Sequence, residues 1–362
     1  MDIYFYQAEC GDAARIRYVG NDGKPHNILI DSGYERTFDH VLADEIQKVR
    51  QAGERIDLWV VSHIHDDHIG GALEYKNTII YGGQEDIVDN WYYNPPRSTA
   101  KELVEVQSDL ISSAKSIKQG DGLTEFLVAS GKLPKADITS ELPPLDLHGL
   151  KMTILTPASN ELNRLREKYP VTDLRMLERE ELDVVSEAKA AKGNDYHIQI
   201  GDFDLDHWSE DNSVENGSSI SILTEFNGKR TLWLADSHPT DIAISLKALG
   251  YTNSAPIVCD YVKVSHHGSK GNNSDNLYNL IRCNHYIMSV DGENKHNLPN
   301  KECIARILRN QNRPSESHYH FYFTYDNQTL RNIFEKDGED VYEKWNFTNH
   351  FVSDKKWVEI NY

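Results

Sequence analysis

The chain has 362 residues, of which 39% are hydrophobic and 26% are charged. This balance is typical of a folded globular protein, and no apolar run reaches the roughly 18 residues of a membrane span. The formal net charge of -19 argues against a broad electrostatic grip on nucleic acid, because such a grip needs a basic face. The four cysteines form no C-x-x-C pair, and the first residues do not resemble a signal peptide. We therefore expect reduced thiols, a cytoplasmic protein and no membrane association.

The first third of the chain predicts short strands and one helix. Strands are expected at residues 4–7, 15–19 and 27–31, with a turn at 21–23 between the last two. A helix is predicted over residues 38–51, because apolar residues recur there at near-helical spacing. An apolar strand is predicted over 56–62, with bulky residues on both faces, as in a strand that is covered on both sides.

Metal-ligand residues crowd the stretch directly after this strand. His63, His65, Asp67 and His68 fall within six residues, and a glycine pair at 70–71 predicts a sharp turn beyond them. Imidazole nitrogen and carboxylate oxygen suit zinc, and also manganese or iron. Because these groups would repel one another or lie desolvated without a cation, the motif predicts a metal site.

The middle of the chain predicts two helical insertions, at about 94–147 and 160–193. Either insertion would cover the site or bind a protein partner, or else be surface decoration. Strands are then predicted at 220–226, 231–235, 261–265, 286–290, 320–325 and 356–360, with helices at 242–249, 274–281 and 301–308. We expect one layered domain over residues 1–325, with 326–362 as an extension that packs on it.

Several of these strands end in residues of similar chemistry. Asp31 and Asp236 each follow a strand, and the run His266-His267-Gly268-Ser269 follows a third. His296 lies in a loop after the strand 286–290. Strand ends that share one edge of a sheet converge, so these residues and the first motif are expected to build one site. A turn or helix cap is the alternative for Asp31 or Asp236 taken alone.

These segments together resemble the metallo-β-lactamase superfamily and, more narrowly, the hydrolase domain of the ComEC competence proteins. The resemblance covers residues 1 to about 308 apart from the insertions. It rests on Asp31-Ser32-Gly33, the H-x-H-x-D-H run that starts at His63, Asp236 and the H-H-G-S-K run that starts at His266. It implies an α/β (α+β) fold, a four-layer αββα sandwich with helical insertions, and a site for two divalent metal ions.

By position, the resemblance implies that His63 and His65 bind one metal, that Asp67 and His68 bind the other, and that Asp236 bridges the two. The third histidine that the family usually places before this aspartate has no clear counterpart. His266 is therefore assigned to the first metal and His296 to the second, with an ordinary loop histidine as the alternative for His296.

The remaining roles concern support and substrate. Asp31 is expected to hold the ligand loop by hydrogen bonding. His267 is expected to be a spare ligand, a proton donor to the leaving group or a structural residue. Lys270 and Ser269 are candidates for contact with a substrate phosphate. Lys263, Lys295 and Lys301 are further candidates, with scattered solvated lysines as the alternative.

The sequence thus predicts a binuclear metal-dependent hydrolase, with zinc favoured and manganese or iron as alternatives. A metal-bridging hydroxide would attack phosphorus or a carbonyl carbon, with catalytic roles for Asp67, Asp236 and His267. The ComEC-like details favour a phosphodiesterase or nuclease. The acidic charge favours a small or partner-delivered substrate over long duplex DNA. Hydrolysis of a lactone, thioester or β-lactam stays open, as does a non-catalytic interaction module with a silent metal site.

Overall fold

The computed structural model describes residues 1–97, 112–169 and 193–362. Two large β-sheets organise these residues. In spatial order, the six strands of the first sheet are β16 (Trp357–Asn361), β1 (Asp2–Tyr6), β2 (Ala13–Val19), β3 (Pro25–Asp31), β4 (Ile56–Val60) and β5 (Val88–Tyr92). The eight strands of the second sheet are β15 (Phe347–Phe351), β14 (Tyr319–Phe323), β13 (His285–Met288), β11 (Tyr261–Lys263), β9 (Lys229–Trp233), β8 (Ser221–Phe226), β7 (Leu150–Thr156) and β6 (Leu145–Leu147). A separate pair joins β10 (Ile257–Val258) to β12 (Ile281–Arg282).

Helices lie between and around these strands. The longer ones are Ala43–Gln51, Asp66–Ile80, Ser112–Ala129, Ser159–Lys168, Pro239–Ala248 and Lys301–Arg309. Short helical turns lie at Glu35–Thr37, Phe38–Leu42, Ile200–Asp202, Val214–Gly217, Ser265–Gly268, Lys270–Asn272, Asp275–Tyr278, Gln328–Arg331, Asn332–Asp337 and Val341–Lys344. Among the helices in the described ranges, none has both the length and the apolar character that crossing a membrane requires.

The two sheets pack face to face, and helices cover their outer faces. At the centre Phe5 stacks on Trp233, with ring centroids 5.0 Å apart. Along β4 the burial alternates, because Leu58 faces the other sheet whereas Trp59 packs among the helices. Helix Pro239–Ala248 lies on the outer face of the second sheet in the same way. This four-layer αββα arrangement is the predicted fold.

Parallel pairing brings the predicted strand ends to one edge of the sandwich. In the first sheet β3 and β4 are parallel. In the second sheet β11 is parallel to both β9 and β13. The residues that follow the carboxyl ends of these strands therefore lie close together, as the sequence predicted. The last 37 residues supply β15 to one sheet and β16 to the other.

Two predicted elements differ from the structure. The helix predicted over 38–51 starts with a π-helical turn, Phe38–Leu42, before the α-helix Ala43–Gln51. The helix predicted over 274–281 is wrong beyond one turn, because only Asp275–Tyr278 is helical and the chain then enters β12. Leu277 and Leu280 are fully buried, so their spacing reflects a packed turn rather than a long helix.

The sharp turn predicted at the glycine pair is wrong. Gly70 and Gly71 lie inside the helix Asp66–Ile80. A Cβ atom on Gly70 would lie 2.3 Å from the nitrogen of Glu35, and one on Gly71 would lie 2.4 Å from the carbonyl oxygen of Ser32. The pair therefore lets this helix approach the backbone after β3. That contact fixes the helix that carries Asp67 and His68.

The insertions are described in part. The first supplies the helix Ser112–Ala129, while the predicted helical residues at 103–111 lie outside the described ranges. The second supplies the helix Ser159–Lys168, and residues 170–192 lie outside them. Gln119 donates a hydrogen bond to Asp66 Oδ1 at 2.5 Å, and Lys115 Nζ lies 2.8 Å from Asp66 Oδ2. The first insertion thus contacts the ligand loop directly.

A buried ion pair joins the helix Lys301–Arg309 to the helical turn Asn332–Asp337, which lies between β14 and β15. Lys301 is fully buried, and its ammonium group contacts the Asp337 carboxylate and the carbonyl oxygen of Tyr196. Asp337 also accepts a 2.6 Å hydrogen bond from the backbone N–H of Ile200. Lys301 therefore has a structural role and is not available to a substrate phosphate.

Removal of this lysine should destabilise the fold. We expect Lys301→Met to lower the free energy of unfolding by about 3–5 kcal/mol, because it leaves the Asp337 carboxylate buried without its cation. Lys355→Met is the matched control, since Lys355 is 54% exposed in its pair with Glu359 and should cost less than about 1 kcal/mol. Urea unfolding measures both changes, and equal small effects would contradict the structural role of Lys301.

Candidate metal centre

Strained backbone surrounds the site. His266, His267 and Gly268 all have left-handed φ angles, of 45°, 51° and 83°. Asp31 and Ala235 are also left-handed, at 55° and 44°. This conformation costs a non-glycine residue roughly 1–2 kcal/mol. Four non-glycine residues around one site have this conformation, which indicates that the surrounding structure maintains a strained backbone there. The consecutive turn aims both imidazoles of the H-H-G-S run at Asp236.

His68 and His267 turn their Nε2 atoms toward the site. The Nδ1 atom of His68 donates to Asp31 Oδ2 at 2.9 Å, and that of His267 donates to the carbonyl oxygen of Ser289 at 2.9 Å. In the neutral ring the proton then lies on Nδ1, so Nε2 carries a lone pair. Both Nε2 atoms are buried and, within the described part of the chain, have no hydrogen-bond partner.

Two carboxylates face these nitrogens. His68 Nε2 lies 3.4 Å from Asp236 Oδ1 and 3.6 Å from Asp67 Oδ2. His267 Nε2 lies 3.7 Å from Asp236 Oδ1 and 3.3 Å from Asp67 Oδ2. Ligand atoms from all four residues lie within 4.8 Å of one another. Two imidazoles and two carboxylates that converge in this way fit a divalent metal ion.

The other oxygen of Asp236 faces a second group of histidines. Asp236 Oδ2 lies 3.9 Å from His63 Nε2 and 3.5 Å from His266 Nε2. His63 Nε2 is in turn 3.0 Å from His65 Nδ1. Asp236 thus stands between two sets of nitrogen atoms, with one carboxylate oxygen toward each. This is the geometry that a bridging carboxylate needs.

Asp31 holds the ligand loop from below. Its carboxylate accepts hydrogen bonds from the backbone N–H of Ser62 at 2.7 Å and from the Ser62 hydroxyl at 2.8 Å, as well as from His68. Asp31 is 1% exposed. Its bond to His68 fixes the orientation of that ring.

Asn272 supports the other side, and sequence reasoning missed it. Its side-chain oxygen accepts a 2.7 Å hydrogen bond from Nδ1 of His266, which leaves Nε2 of that ring for the site. Its Nδ2 donates to the backbone carbonyl of Asp236 at 3.0 Å. The available signal was its position four residues after Gly268, in a turn that returns to the site.

Asp12 and Lys263 form a buried ion pair behind His267, which sequence reasoning also missed. The Lys263 ammonium group contacts Asp12 Oδ2, and both side chains are under 10% exposed. Asp12 Oδ1 lies 3.5 Å from His267 Nδ1. Lys263 therefore neutralises a carboxylate and is not available to bind phosphate.

Charge within the cluster is strongly coupled. Burial and the neighbouring His68 and His65 rings lower the pKa of His63 well below its usual value. Burial also acts against charge on His68, but Asp236 and Asp67 outweigh it and raise its pKa. Burial would raise the pKa of Asp236, but nearby histidines hold it well below the usual range. The carboxylates therefore stay ionised, which is the state that metal binding requires.

The centre lies in the wall of a large pocket of about 970 Å³. His65, Asp67, Asp236, His266 and His267 line it, together with Ser269, Lys270, Lys295 and His296. His296 is exposed and lies outside the group of four converging ligands. His267, by contrast, has a buried Nε2 that faces both carboxylates. Lys270 and Ser269 lie where a substrate could reach them.

Comparisons with known proteins agree with the fold and the motif. Residues 18–84 match the model of a family described as the metallo-beta-lactamase superfamily, and the match includes the run from His63 to His68. No curated protein matches the sequence.

Two solved structures are similar at a low level. One is the CmlA beta-hydroxylase E377D mutant, with 14% identity, a TM-score of 0.41, and coverage of 100% of this chain and 54% of that chain. The other is the Rm3 metallo-beta-lactamase, with 11% identity, a TM-score of 0.28, and coverage of 72% and 76%. The chain thus spans about half the length of the first, and neither similarity carries an argument about function.

The site joins a matched ligand motif to converging histidine and aspartate side chains at the strand ends of an αββα sandwich. The chain is therefore similar to the metallo-β-lactamase superfamily over residues 18–84, and it has a cluster of His and Asp side chains that is able to bind divalent metal.

Proposed function

We propose that this protein is a binuclear metal-dependent hydrolase that acts on phosphodiesters. In the proposed arrangement His63, His65 and His266 bind one divalent ion, and Asp67, His68 and His267 bind the other. Asp236 bridges the two with its separate oxygens. His267 thus replaces His296 as the closing ligand. Zinc is the favoured metal, with manganese or iron as alternatives, because the ligands combine imidazole with carboxylate.

The convergence of four imidazole Nε2 atoms on the two oxygens of Asp236 is the observation that carries this proposal. Each histidine of the second set already donates its Nδ1 proton to a protein acceptor, Asp31 for His68 and Ser289 for His267. The buried Nε2 atoms lie beside two carboxylates, which raise the pKa of both rings, so a divalent ion that binds here would displace a proton from these nitrogens.

The protein's contribution to the reaction is positioning. Bound divalent ions would acidify a water molecule and polarise the substrate oxygen. Asp31 and Asn272 hold His68 and His266 in orientation, so little reorganisation is needed during the reaction. His267 is not suited to be the proton donor, because its Nδ1 proton is bonded to Ser289 and its ring is 1% exposed. The open pocket leaves protonation of the leaving group to water.

The charges around the pocket support a small phosphodiester substrate. Lys270 and Lys295 line the pocket close to the centre, where they can contact phosphate oxygens. Acidic residues such as Asp195 and Glu210 line the same pocket, and the whole chain is acidic. An extended duplex would meet repulsion over most of this surface. A short or single-stranded nucleic acid, or a small phosphodiester, avoids it.

Location and partners are further parts of the proposal. All four cysteines are buried and unpaired, which agrees with a reducing compartment such as the cytoplasm. The first insertion contacts the ligand loop through Lys115 and Gln119. A protein partner bound to that helix would therefore be coupled to the site.

Metal binding should depend on the bridging carboxylate. We expect Asp236→Ala to lower the zinc bound to purified, metal-replete protein by two equivalents and Asp67→Ala to lower it by one. His207→Ala is the control, since this ring is 89% exposed and does not line the pocket. Elemental analysis measures the metal. An unchanged content in Asp236→Ala would contradict the bridging role.

The rate of hydrolysis of bis-p-nitrophenyl phosphate should depend on the same metal-ligand residues. We expect Asp236→Ala and His267→Ala to lower kcat/KM by about 10³-fold, equivalent to roughly 4 kcal/mol of transition-state stabilisation. His296→Ala should lower it by less than about 10-fold, because water can fill its exposed place. A larger loss for His296→Ala than for His267→Ala would reverse the ligand assignment.

The same assay separates the reaction classes. Metal-replete protein that opens lactones but cleaves no phosphodiester would be a carbonyl hydrolase. Protein that retains no metal and cleaves neither substrate would be an interaction module. Either result would overturn the proposal.

Lys270 should contribute to substrate binding alone. Its ammonium group lies 3.4 Å from Glu302, but the side chain is 57% exposed and can turn to a phosphate. We expect Lys270→Ala to raise KM about five-fold with little change in kcat, which corresponds to about 1 kcal/mol of uniform binding. Steady-state kinetics with Lys355→Ala as the control measure the split, and a fall in kcat alone would contradict this role.

A further inference from the structure

The ion pair between Asp12 and Lys263 joins the two sheets directly behind the candidate centre. Asp12 lies in the loop between β1 and β2 of the first sheet, and Lys263 is the last residue of β11 in the second sheet. Both side chains are buried, and their charged groups are in direct contact. The pair thus places two opposite charges at the interface of sheets that pack through apolar side chains.

The backbone of Asp12 is fixed to the ligand helix. Its N–H donates to the carbonyl oxygen of Asp67 at 3.1 Å, and its own carbonyl oxygen accepts a 2.7 Å hydrogen bond from the N–H of Gly33. A Cβ atom on Gly11 would lie 2.4 Å from the carbonyl oxygen of Asp67, so a glycine is needed for this approach. The position of Asp12 is therefore coupled to that of Asp67.

The side chain of Asp12 stands behind two of the proposed metal ligands. Its Oδ1 atom lies 3.5 Å from His267 Nδ1, and its Oδ2 atom lies 4.0 Å from His68 Nδ1. Lys263 is close to His267 in the chain as well, because β11 ends at Lys263 and the turn that carries His267 begins at Ser265. The ion pair thus contacts ligand segments that come from both sheets.

The ammonium group of Lys263 compensates a carboxylate that would otherwise compete for these rings. A carboxylate that is buried without a cation attracts protons and hydrogen bonds from the donors around it. The N–H of His267 lies within its reach but donates to the carbonyl oxygen of Ser289 at 2.9 Å. The cavity beside the pair has a volume of about 20 Å³, which holds no more than about one water molecule. Solvent therefore cannot take the place of Lys263.

We propose that Asp12 and Lys263 are positioning residues that hold His267 in register with Asp67 and His68 at the second ion site. That site needs such a device, because Asp67 and His68 follow β4 of the first sheet whereas His267 follows β11 of the second. The ion pair supplies it by fixing both segments and by leaving the His267 ring bonded to its backbone acceptor. This inference rests on the proposed function, since it assumes that these three ligands bind an ion.

Stepwise zinc binding, measured by titration against a chromophoric chelator, tests the pair. We expect Lys263→Met to weaken binding of the second zinc ion about 10–100-fold, the range typical of a lost supporting contact, and to leave the first little changed. Asp12→Asn is an isosteric second variant that leaves the ammonium group unpaired behind both imidazoles. It should weaken the second ion as well, and it tests the pair even if Lys263→Met does not fold.

Lys301→Met is the matched control. Lys301 is also buried and paired with an aspartate, but its partner Asp337 does not line the pocket of the centre. The control should lose stability and keep both zinc affinities. Lys263→Met combined with Asp12→Asn removes both charges and should recover most of the affinity for the second ion, because no unpaired charge remains beside His267.

Cobalt(II) gives a readout that a loss of stability alone would not move. The visible absorption that accompanies the second equivalent of cobalt should change in Lys263→Met and return in the double variant. Single variants that bind both ions as tightly as the wild type would overturn the inference and leave the proposed hydrolase intact, and an equal loss in Lys301→Met would also overturn it. A wild-type protein that binds fewer than two zinc ions would contradict the proposed function and this inference together.

Discussion

The buried carboxylate of Asp236 is the constraint on which the site depends. One of its oxygens faces Nε2 of His68 and His267, and the other faces His63 and His266. An ionised carboxylate at 1% exposure is costly unless positive charge compensates it. Two imidazole Nε2 atoms approach each oxygen of Asp236, and a divalent ion between them would supply that charge in place of protons on the rings. The orientation of every other ligand follows from this requirement.

Much of the fold serves to hold that arrangement. β3 is parallel to β4 in the first sheet, and β9 is parallel to β11 in the second. The carboxyl ends of these strands therefore meet at one edge of the sandwich. Gly70 and Gly71 let the ligand helix approach the end of β3. The left-handed turn at His266 and His267 directs two adjacent side chains into one site, which a regular strand could not do because its side chains alternate. The strain of that turn is confined to the site.

The sequence predicted the fold class and the first ligand motif because both depend on local pattern. The run of ligand residues from His63 to His68 can be recognised without knowledge of packing. The strands can be recognised from the pattern of their apolar residues. Roles that depend on distant contacts could not be read in this way. Asn272 and Asp12 act through residues brought near by folding, and Lys301 is near the site in sequence but is paired with Asp337. The proposed choice of His267 over His296 depends on the hydrogen bond from His267 to Ser289, which joins the segments that follow β11 and β13.

Anomalous diffraction from crystals of the zinc-loaded protein tests the central claim most directly. The account predicts two peaks roughly 3.5–4 Å apart on either side of Asp236. His266 Nε2 would bind the ion at one peak, and His267 Nε2 would bind the ion at the other. A single peak, or a second ion bound by His296 in place of His267, would contradict it.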